Sequence, residues 1–451
     1  VDQIAVTRTV TVAAGPFAAG NLGELTRLVP FEMVDDVLAA TRRTQQRVRL
    51  LPARVVVYLL LAGCLFADCG YRQMRAKLIA GLRGLPVPDP SGSALRQARQ
   101  RLGPAPLRAL FDLLRGRAAT GAVAAVRWRG LLPVVVDGTM IAVADSTANL
   151  RHYVKQRCDH GGSGYPTLRL SALLACGTRS VIDAVFDPIT TGETVQARRL
   201  ARSLPAGMLL LADRNYAAAD LITAVTATGA DLLIRCKTSR KLPMIRRNRD
   251  GSWLSVIGGQ AVHVIEARIS ITTTAGSHTG DYRLITTLLD PRHYPAADLV
   301  RLYHQRWEIE TAYLELKSTI LGGRVLRART PDGVDQEIHA LLIVYQLLRT
   351  VMVDATDSRP ASTRTGSASP PPSTPPATRS CTPPAFIADT VIDLVGVIGQ
   401  AVLTTLLPDR RVRTKTRMIK RSNSKYQARG PHIDRRTYKA TTSIDVITID
   451  P

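Results

Sequence analysis

Residues able to do chemistry fall in separate stretches of the chain. Asp137 ends the apolar run Leu132 to Val136 and is followed by Gly138 and Thr139; Asp213 ends the run Met208 to Ala212. A carboxylate where a buried strand ends projects from a sheet edge, the position at which α/β folds often build sites. Asp also caps strands and turns for structural reasons alone. A further stretch, RLYHQRWEIETAYLELKSTI, has helical periodicity. At about 100° per residue, Tyr303, Arg306, Glu310 and Lys317 share an arc of roughly 60°. Leu302, Ile309, Tyr313, Leu316 and Ile320 form an apolar stripe beside it. One acid among basic and hydroxyl donors suits a metal ligand surrounded by phosphate contacts. An exposed face with i,i+4 pairs such as Arg306 with Glu310 explains it too, and periodicity alone favours that plainer account.

The spacing carries more. Tyr303, Arg306, Glu310 and Lys317 stand as Tyr-x2-Arg-x3-Glu-x6-Lys, preceded in order by VVVDGT around Asp137 and LLLADRNY around Asp213. In these motifs the chain resembles the DDE transposases of the insertion element four family. GELTRLVPFEMVDDVL and SALRQARQRLG also look like that family's N-terminal region. The resemblance runs from about residue 20 to 355 and returns in the basic tail. It implies a ribonuclease H-like α/β catalytic core with a β-rich insertion between the second Asp and the Glu, and the ninety-six residues between Asp213 and Glu310 leave room for one. It further implies that Asp137, Asp213 and Glu310 hold two Mg2+ ions, with Mn2+ able to substitute, as hard oxygen ligands suit. The freed 3′-hydroxyl would attack the opposite strand to form a hairpin, and the 3′ ends would later join target DNA. Tyr303, Arg306 and Lys317 would grip phosphates near the transposon end. The implied partners are double-stranded DNA, both transposon ends and target, and a second copy of the chain on that DNA.

The elements that must position these residues follow a coarse pattern. Residues 1–125 read as helical: Phe31 to Thr41, a buried helix from Val55 to Ala67, and an amphipathic one from Tyr71 to Leu82. Ser93 is expected to cap a short helix ending at Gly103-Pro104. That helix carries Arg96, Gln97 and Gln100, whose donors match guanine and adenine edges. It reads as a DNA-binding, helix-turn-helix-like module or as an ordinary solvated face. Residues 126–355 read as the catalytic domain: strands at Leu132 to Val136, Met140 to Ala144, Leu168 to Cys176, Val181 to Phe186, Met208 to Ala212 and Asp231 to Cys236, with helices at Glu193 to Leu204 and Ala217 to Thr228. A β-rich insertion spans about 237–290, opening on a cluster of Lys237, Arg240, Lys241, Arg246, Arg247 and Arg249 that reads as a solvated loop or a phosphate contact. One long helix is expected from Ala296 to Ile320 and another from Asp335 to about Val353.

Residues 356–386 are Pro/Ser/Thr-rich and read as linker or disorder. Residues 387–451 read as a helix followed by a basic, mobile DNA-binding tail. The Pro/Ser/Thr stretch lies abruptly between helical patterns, as a displaced reading frame would. If so, the chain is a catalytically impaired DNA-binding relic. A ribonuclease H-like nuclease that cuts without joining is a further alternative.

Bulk composition agrees with a nucleic-acid partner. Sixty Lys and Arg against thirty-six Asp and Glu give a net charge of +24, an excess that favours polyanions. With 45% apolar residues the chain can build a large core. Six scattered Cys form no CxxC pair or Cys/His ladder, so no zinc site is expected, and they suit a reducing cytoplasm, here in association with the bacterial nucleoid. Cys64 and Cys176 sit in apolar runs as core thiols. Val55 to Ala67 is too short to span a bilayer. Trp253 and Trp307 read as packed aromatics or as stacking partners for an unpaired base.

Overall fold

The computed structural model describes residues 25–357 apart from 46, 48–50, 67–68, 79–88, 121–125, 159–160 and 275, together with 413–414 and 438–447. The linker expected at 356–386 lies almost wholly outside the described residues, as do the helix at Ile387 to Leu407 and most of the basic tail.

The N-terminal part holds α1 (Leu25–Leu28), α2 (Phe31–Ala40), α3 (Ala53–Leu65), α4 (Tyr71–Leu78), α5 (Gly92–Leu102) and α6 (Ala105–Leu114). Helix α3 is apolar on nearly every side because it is enclosed: Val55 through Ala62 are all buried. Helix α5 starts two residues earlier than expected. Ser91, not Ser93, is the cap, its side chain accepting from the Ala94 amide at 3.2 Å. Gly103 follows at φ +67°, a conformation open to glycine, and Pro104 lets α6 begin at once.

The catalytic part is built on one mixed sheet. Its strands are β1 (Leu132–Ala142), β4 (Thr167–Ala175), β5 (Val181–Pro188), β6 (Met208–Ala212) and β7 (Asp231–Cys236), in the order β5-β4-β1-β6-β7. Strands β4 and β5 pair antiparallel with their neighbours, whereas β6 and β7 run parallel to β1. Helix α7 (Thr147–His152) and a two-stranded hairpin of β2 (Gln156–Cys158) and β3 (Gly161–Ser163) connect β1 to β4. The sheet continues past β7 through β11 (Gly276–Thr286) to β10 (Gln260–Thr273), with β8 (Arg246–Arg247) and β9 (Trp253–Ile257) alongside. The alternating runs of the insertion therefore enlarge the central sheet.

Strand β13 (Tyr438–Val446) pairs antiparallel with β10 and carries β12 (Arg413–Thr414) on its other edge. Of the basic stretch expected as a mobile tail, Arg413–Thr414 and the start of β13 are thus in strands, and the residues between lie outside the described ones. TYKATTSIDV alternates polar and apolar residues, and its inward Ile444 and Val446 pack against the core.

Side-chain alternation along β1 sorts the layers. Val134 and Val136 face a core with α8 (Glu193–Ala201) and α9 (Ala219–Thr226). Val135 faces a larger core with α10 (Ala296–Tyr303), α11 (Glu308–Leu314), α12 (Pro331–Asp357) and the N-terminal helices. Helix α12 ties both parts together. Its Gln336 amide donates to the Arg99 and Gly103 carbonyls at 2.8 and 2.9 Å, satisfying the end of α5. Among the described residues, no helix is long and apolar enough to cross a membrane.

Candidate active site

Asp137 does not end its strand. Strand β1 runs unbroken from Leu132 to Ala142, and Asp137 lies opposite Ala172 of β4. The separate strand expected at Met140 to Ala144 is a continuation of β1. The parallel partner is what ends: β6 stops at Ala212, with Val135 beside Leu211. Continuing that register by two residues sets Asp137 beside Asp213, at the point where β1 outruns its neighbour. Neighbouring strands lie ~4.8 Å apart, so the two carboxylates leave the sheet side by side. By alternation both share the face of Val135 and Leu211, the face that α10 and α11 cover.

Each acid is held by a short loop of hydrogen bonds. The Gly138 amide donates to Asp137 Oδ1 at 2.8 Å, and the Asn215 amide to Asp213 Oδ1 at 2.7 Å. Burial pushes the Asp137 carboxyl up to about 6, opposed by the Gly138 amide and the Arg306 charge and reinforced by the charges of Asp213 and Glu193.

Glu193 was not singled out from the sequence. It opens α8 and reaches the site only through tertiary packing. A Cβ placed on Gly138 would meet Ser171 Oγ at 3.3 Å and Glu193 Cγ and Oε1 at 3.5 Å. The Glu193 side chain therefore packs beside the residue that follows Asp137. Arg169 stands 3.6 Å from Glu193 Oε1. Tyr216 borders the same group. It is 1% exposed, its hydroxyl has no hydrogen-bond partner, and burial, helped by the charges of Asp137, Glu193 and Asp213, pushes its ionisation up.

The segment bearing Glu310 is not the regular helix expected from Ala296 to Ile320. Helix α10 gives way to a 3-10 turn at His304–Trp307, then α11, then a π-helical turn at Glu315–Ile320. Tighter and wider windings in one segment are frequent at functional sites. The motif residues consequently differ in environment. Tyr303 is buried and donates to the Ala212 carbonyl at 3.0 Å. Its hydroxyl hydrogen is thus engaged with the last residue of β6. Arg306 is half-buried, its guanidinium 4.8 Å from the Trp307 ring centre and 5.9 Å from that of Tyr303, and its Nε is buried without a partner. Glu310 is exposed. Lys317 Nζ lies 3.4 Å from Thr139 Oγ1, two residues beyond Asp137 on the same face of β1.

Carboxylate oxygens are the donors that Mg2+ and Mn2+ prefer. The buried Tyr216 hydroxyl without a partner and the upward push on Asp137 mark where such a cation fits. Among the described residues, no three His, Cys, Asp or Glu side chains are grouped closely enough to hold an ion.

Arg96, Gln97 and Gln100 lie exposed on α5, opposite the buried Leu95, Ala98 and Leu102. In the insertion, Lys237, Lys241, Arg246, Arg247 and Arg249 are exposed, while Arg240 turns inward to the Ala217 carbonyl. Trp253 is a packed aromatic at 4% exposure; Trp307 is open at 39%. Cys176 is buried and Cys64 half-buried.

Comparison with known proteins fits this arrangement. Residues 128–347 match the family model described as a transposase DDE domain, and residues 19–112 match the insertion element 4 transposase N-terminal model. The chain is a DDE-type transposase, an enzyme of a class that works on transposon DNA with divalent metal ions. It is 25% identical over 346 residues to the transposase InsG for insertion sequence element IS4 of Escherichia coli (strain K12), covering 71% of this chain and 74% of that one. It is 26% identical over 205 residues to the putative transposase InsZ of the same organism, covering 45% of this chain and 67% of that one. The protein is an insertion-sequence transposase of the insertion element 4 kind.

Proposed function

We propose that this transposase excises and reinserts its element through a ribonuclease H-like core in which Asp137, Asp213 and Glu310 are the metal-holding carboxylates. The observation that carries the reading is that Asp213 directly follows β6 where its parallel neighbour β1 runs on through Asp137, close enough for its charge to act on that carboxyl, with the Glu310 segment packed over the Val135 and Leu211 face of these strands. The strand order β5-β4-β1-β6-β7, antiparallel then parallel about β1, supports the core assignment.

Two Mg2+ ions, when bound, supply Lewis acids for the attacking oxygen and the leaving 3′ oxygen. The residues do the rest. Asp137 and Asp213 fix the position of the scissile phosphate from below. Glu310 approaches from the helix side. Arg306 presents a cation toward the phosphate oxygens, and Lys317, beside Thr139, adds a second from the far end of the segment. Tyr303 positions rather than grips, anchoring the helix to β6. The exposed row on α5 reads the terminal repeat, and the exposed cations at the start of the insertion contact backbone phosphates. The chain acts as a homodimer on paired ends.

The test is strand transfer. Full-length protein, Mg2+ and a duplex ending in the element's terminal repeat should give cleaved ends and joined products, and Glu310→Ala should give neither. Cleavage without joining would instead establish a nuclease.

A further inference from the structure

The strongest buried polar cluster lies away from the metal-binding face, behind the Glu310 segment. Arg179, in the turn between β4 and β5, is 6% exposed, and its φ is +55°. Its Nε donates to Glu308 Oε2 at 2.7 Å and its Nη1 to Glu315 Oε1 at 2.8 Å. Arg349 of α12 donates to the other oxygen of Glu315. Tyr345, also of α12, donates to the Arg179 carbonyl at 3.2 Å. Gln346 accepts from the Val181 amide at 2.9 Å and donates to Ser180 Oγ at 2.8 Å, which ties the same turn to α12. Two cations thus meet two carboxylates in a site with almost no water.

The placement of the two acids is informative. Glu308 is the first residue of α11, where the 3-10 turn becomes α-helix; Glu315 is the first residue of the π turn, where the α-helix widens. These joints are where a helix of mixed winding can slip. A slip of one residue turns every later side chain by about 100°. Glu310 lies between the joints, about 200° around the helix from Glu308 and so on the opposite side. One guanidinium grips both joints from behind and leaves Glu310 facing outward.

Energetics argue for geometry rather than stability as the consequence. Buried ion networks often contribute little net stability over well-packed apolar replacements. A forked guanidinium fixes direction as well as distance. A left-handed backbone is strained for an arginine, and such strain concentrates at functional sites.

We propose that Arg179 is a positioning residue for the reaction: by clamping Glu308 and Glu315 it sets the rotation at which Glu310 meets Asp137 and Asp213. The inference rests on Glu310 being a metal ligand.

The test uses full-length protein and variants at Arg179 and Glu308. Arg179→Asn keeps a residue that tolerates left-handed backbone and removes the clamp. Glu308→Gln is milder, weakening one arm and leaving Glu315 paired with Arg349. Two quantities are measured: the Mn2+ concentration giving half-maximal end cleavage, and hydrogen exchange across the whole chain without metal or DNA. The expected result is a rise of about tenfold in the half-saturating Mn2+ for Arg179→Asn and a few-fold rise for Glu308→Gln. Faster exchange should be confined to residues 304–320. An unchanged Mn2+ requirement in either folded variant, or exchange that rises evenly through the chain, overturns the proposal. Should Arg179→Asn fail to fold, Glu308→Gln alone decides. Glu310→Ala keeps the underlying reading separate: if it still cleaves, Glu310 is not a ligand, whatever the Arg179 variants do.

Discussion

The Tyr313 hydroxyl donates to the main-chain carbonyl of Asp137 at 2.6 Å, and the same oxygen accepts from the Ala172 amide at 3.0 Å. It therefore bridges β1 and β4 at the residue that carries the first acid. Tyr303 makes the matching contact to the Ala212 carbonyl, just before the second acid. The Glu310 segment is thus pinned at both ends to the backbones of the two Asp-bearing strands.

Tyr313→Phe should expose the worth of that bridge. It leaves the ring in place and removes the partner of a buried amide and a buried carbonyl, each costing about 1–3 kcal/mol when unsatisfied. We expect a lower melting temperature, a reduced cleavage rate and little change in affinity for the terminal repeat, read by thermal unfolding, single-turnover cleavage and gel shift. An unchanged cleavage rate would show that the bridge serves the fold alone.

Asp137 gives a pH signature in metal-free protein. Its carboxyl is raised from an ordinary 3.8 to about 6, chiefly by burial. Folding therefore favours the protonated form. That contribution is complete below the unfolded value and is lost as pH rises through about 6. Asp137→Asn has nothing to lose in this window. With chelator present, the variant's melting temperature should exceed that of the parent by a widening margin between pH 4 and 7, reaching a few degrees and then levelling. Mg2+ or Mn2+ at pH 7 should raise the parent's melting temperature and not the variant's. Parallel pH profiles for the two proteins would rule out the strained carboxyl.

The candidate residues could be picked out from residue order, and what that order missed has physical causes. Asp213 is where an apolar run ends because β6 itself ends there. Asp137 reads the same way, yet β1 continues, since an antiparallel partner on one side supports it after the parallel one stops. Tyr303, Arg306, Glu310 and Lys317 were legible as a motif but not as environments, because uniform rotation ignores the 3-10 turn that separates buried Tyr303 from exposed Glu310 and the π turn that carries Lys317. Glu193 and Arg179 were invisible. Glu193 acts on Asp137 from the start of a helix far along the chain, and Arg179 meets its two acids across 129 and 136 residues of chain. No local pattern encodes either approach.

Arg306 should act on both charge and DNA. Its cation opposes the rise of the Asp137 carboxyl, so Arg306→Gln should move the metal-free titration of Asp137 to higher pH. If the same guanidinium also neutralises a phosphate, the slope of log affinity against log salt for end DNA should fall by about one. Arg306→Lys should restore the slope better than the rate, since an ammonium keeps the charge and loses the fork. A salt slope equal to the parent's in Arg306→Gln would leave Arg306 an electrostatic neighbour of Asp137 and not a DNA contact.

The α5 row should separate recognition from chemistry. Arg96, Gln97 and Gln100 are exposed, and none belongs to the buried side made by Leu95, Ala98 and Leu102. Replacing each with Ala should shift stability by no more than about 0.5 kcal/mol. A side chain that reads a base edge carries about 1–3 kcal/mol of discrimination. Each Ala variant should therefore bind its terminal repeat roughly tenfold or more weakly, with little change on unrelated duplex of the same length. Once bound at saturating protein, the cleavage rate should match the parent. Equal losses on repeat and unrelated DNA would make the row a phosphate contact, and no loss on either would make α5 a packing helix whose outer face is simply solvated.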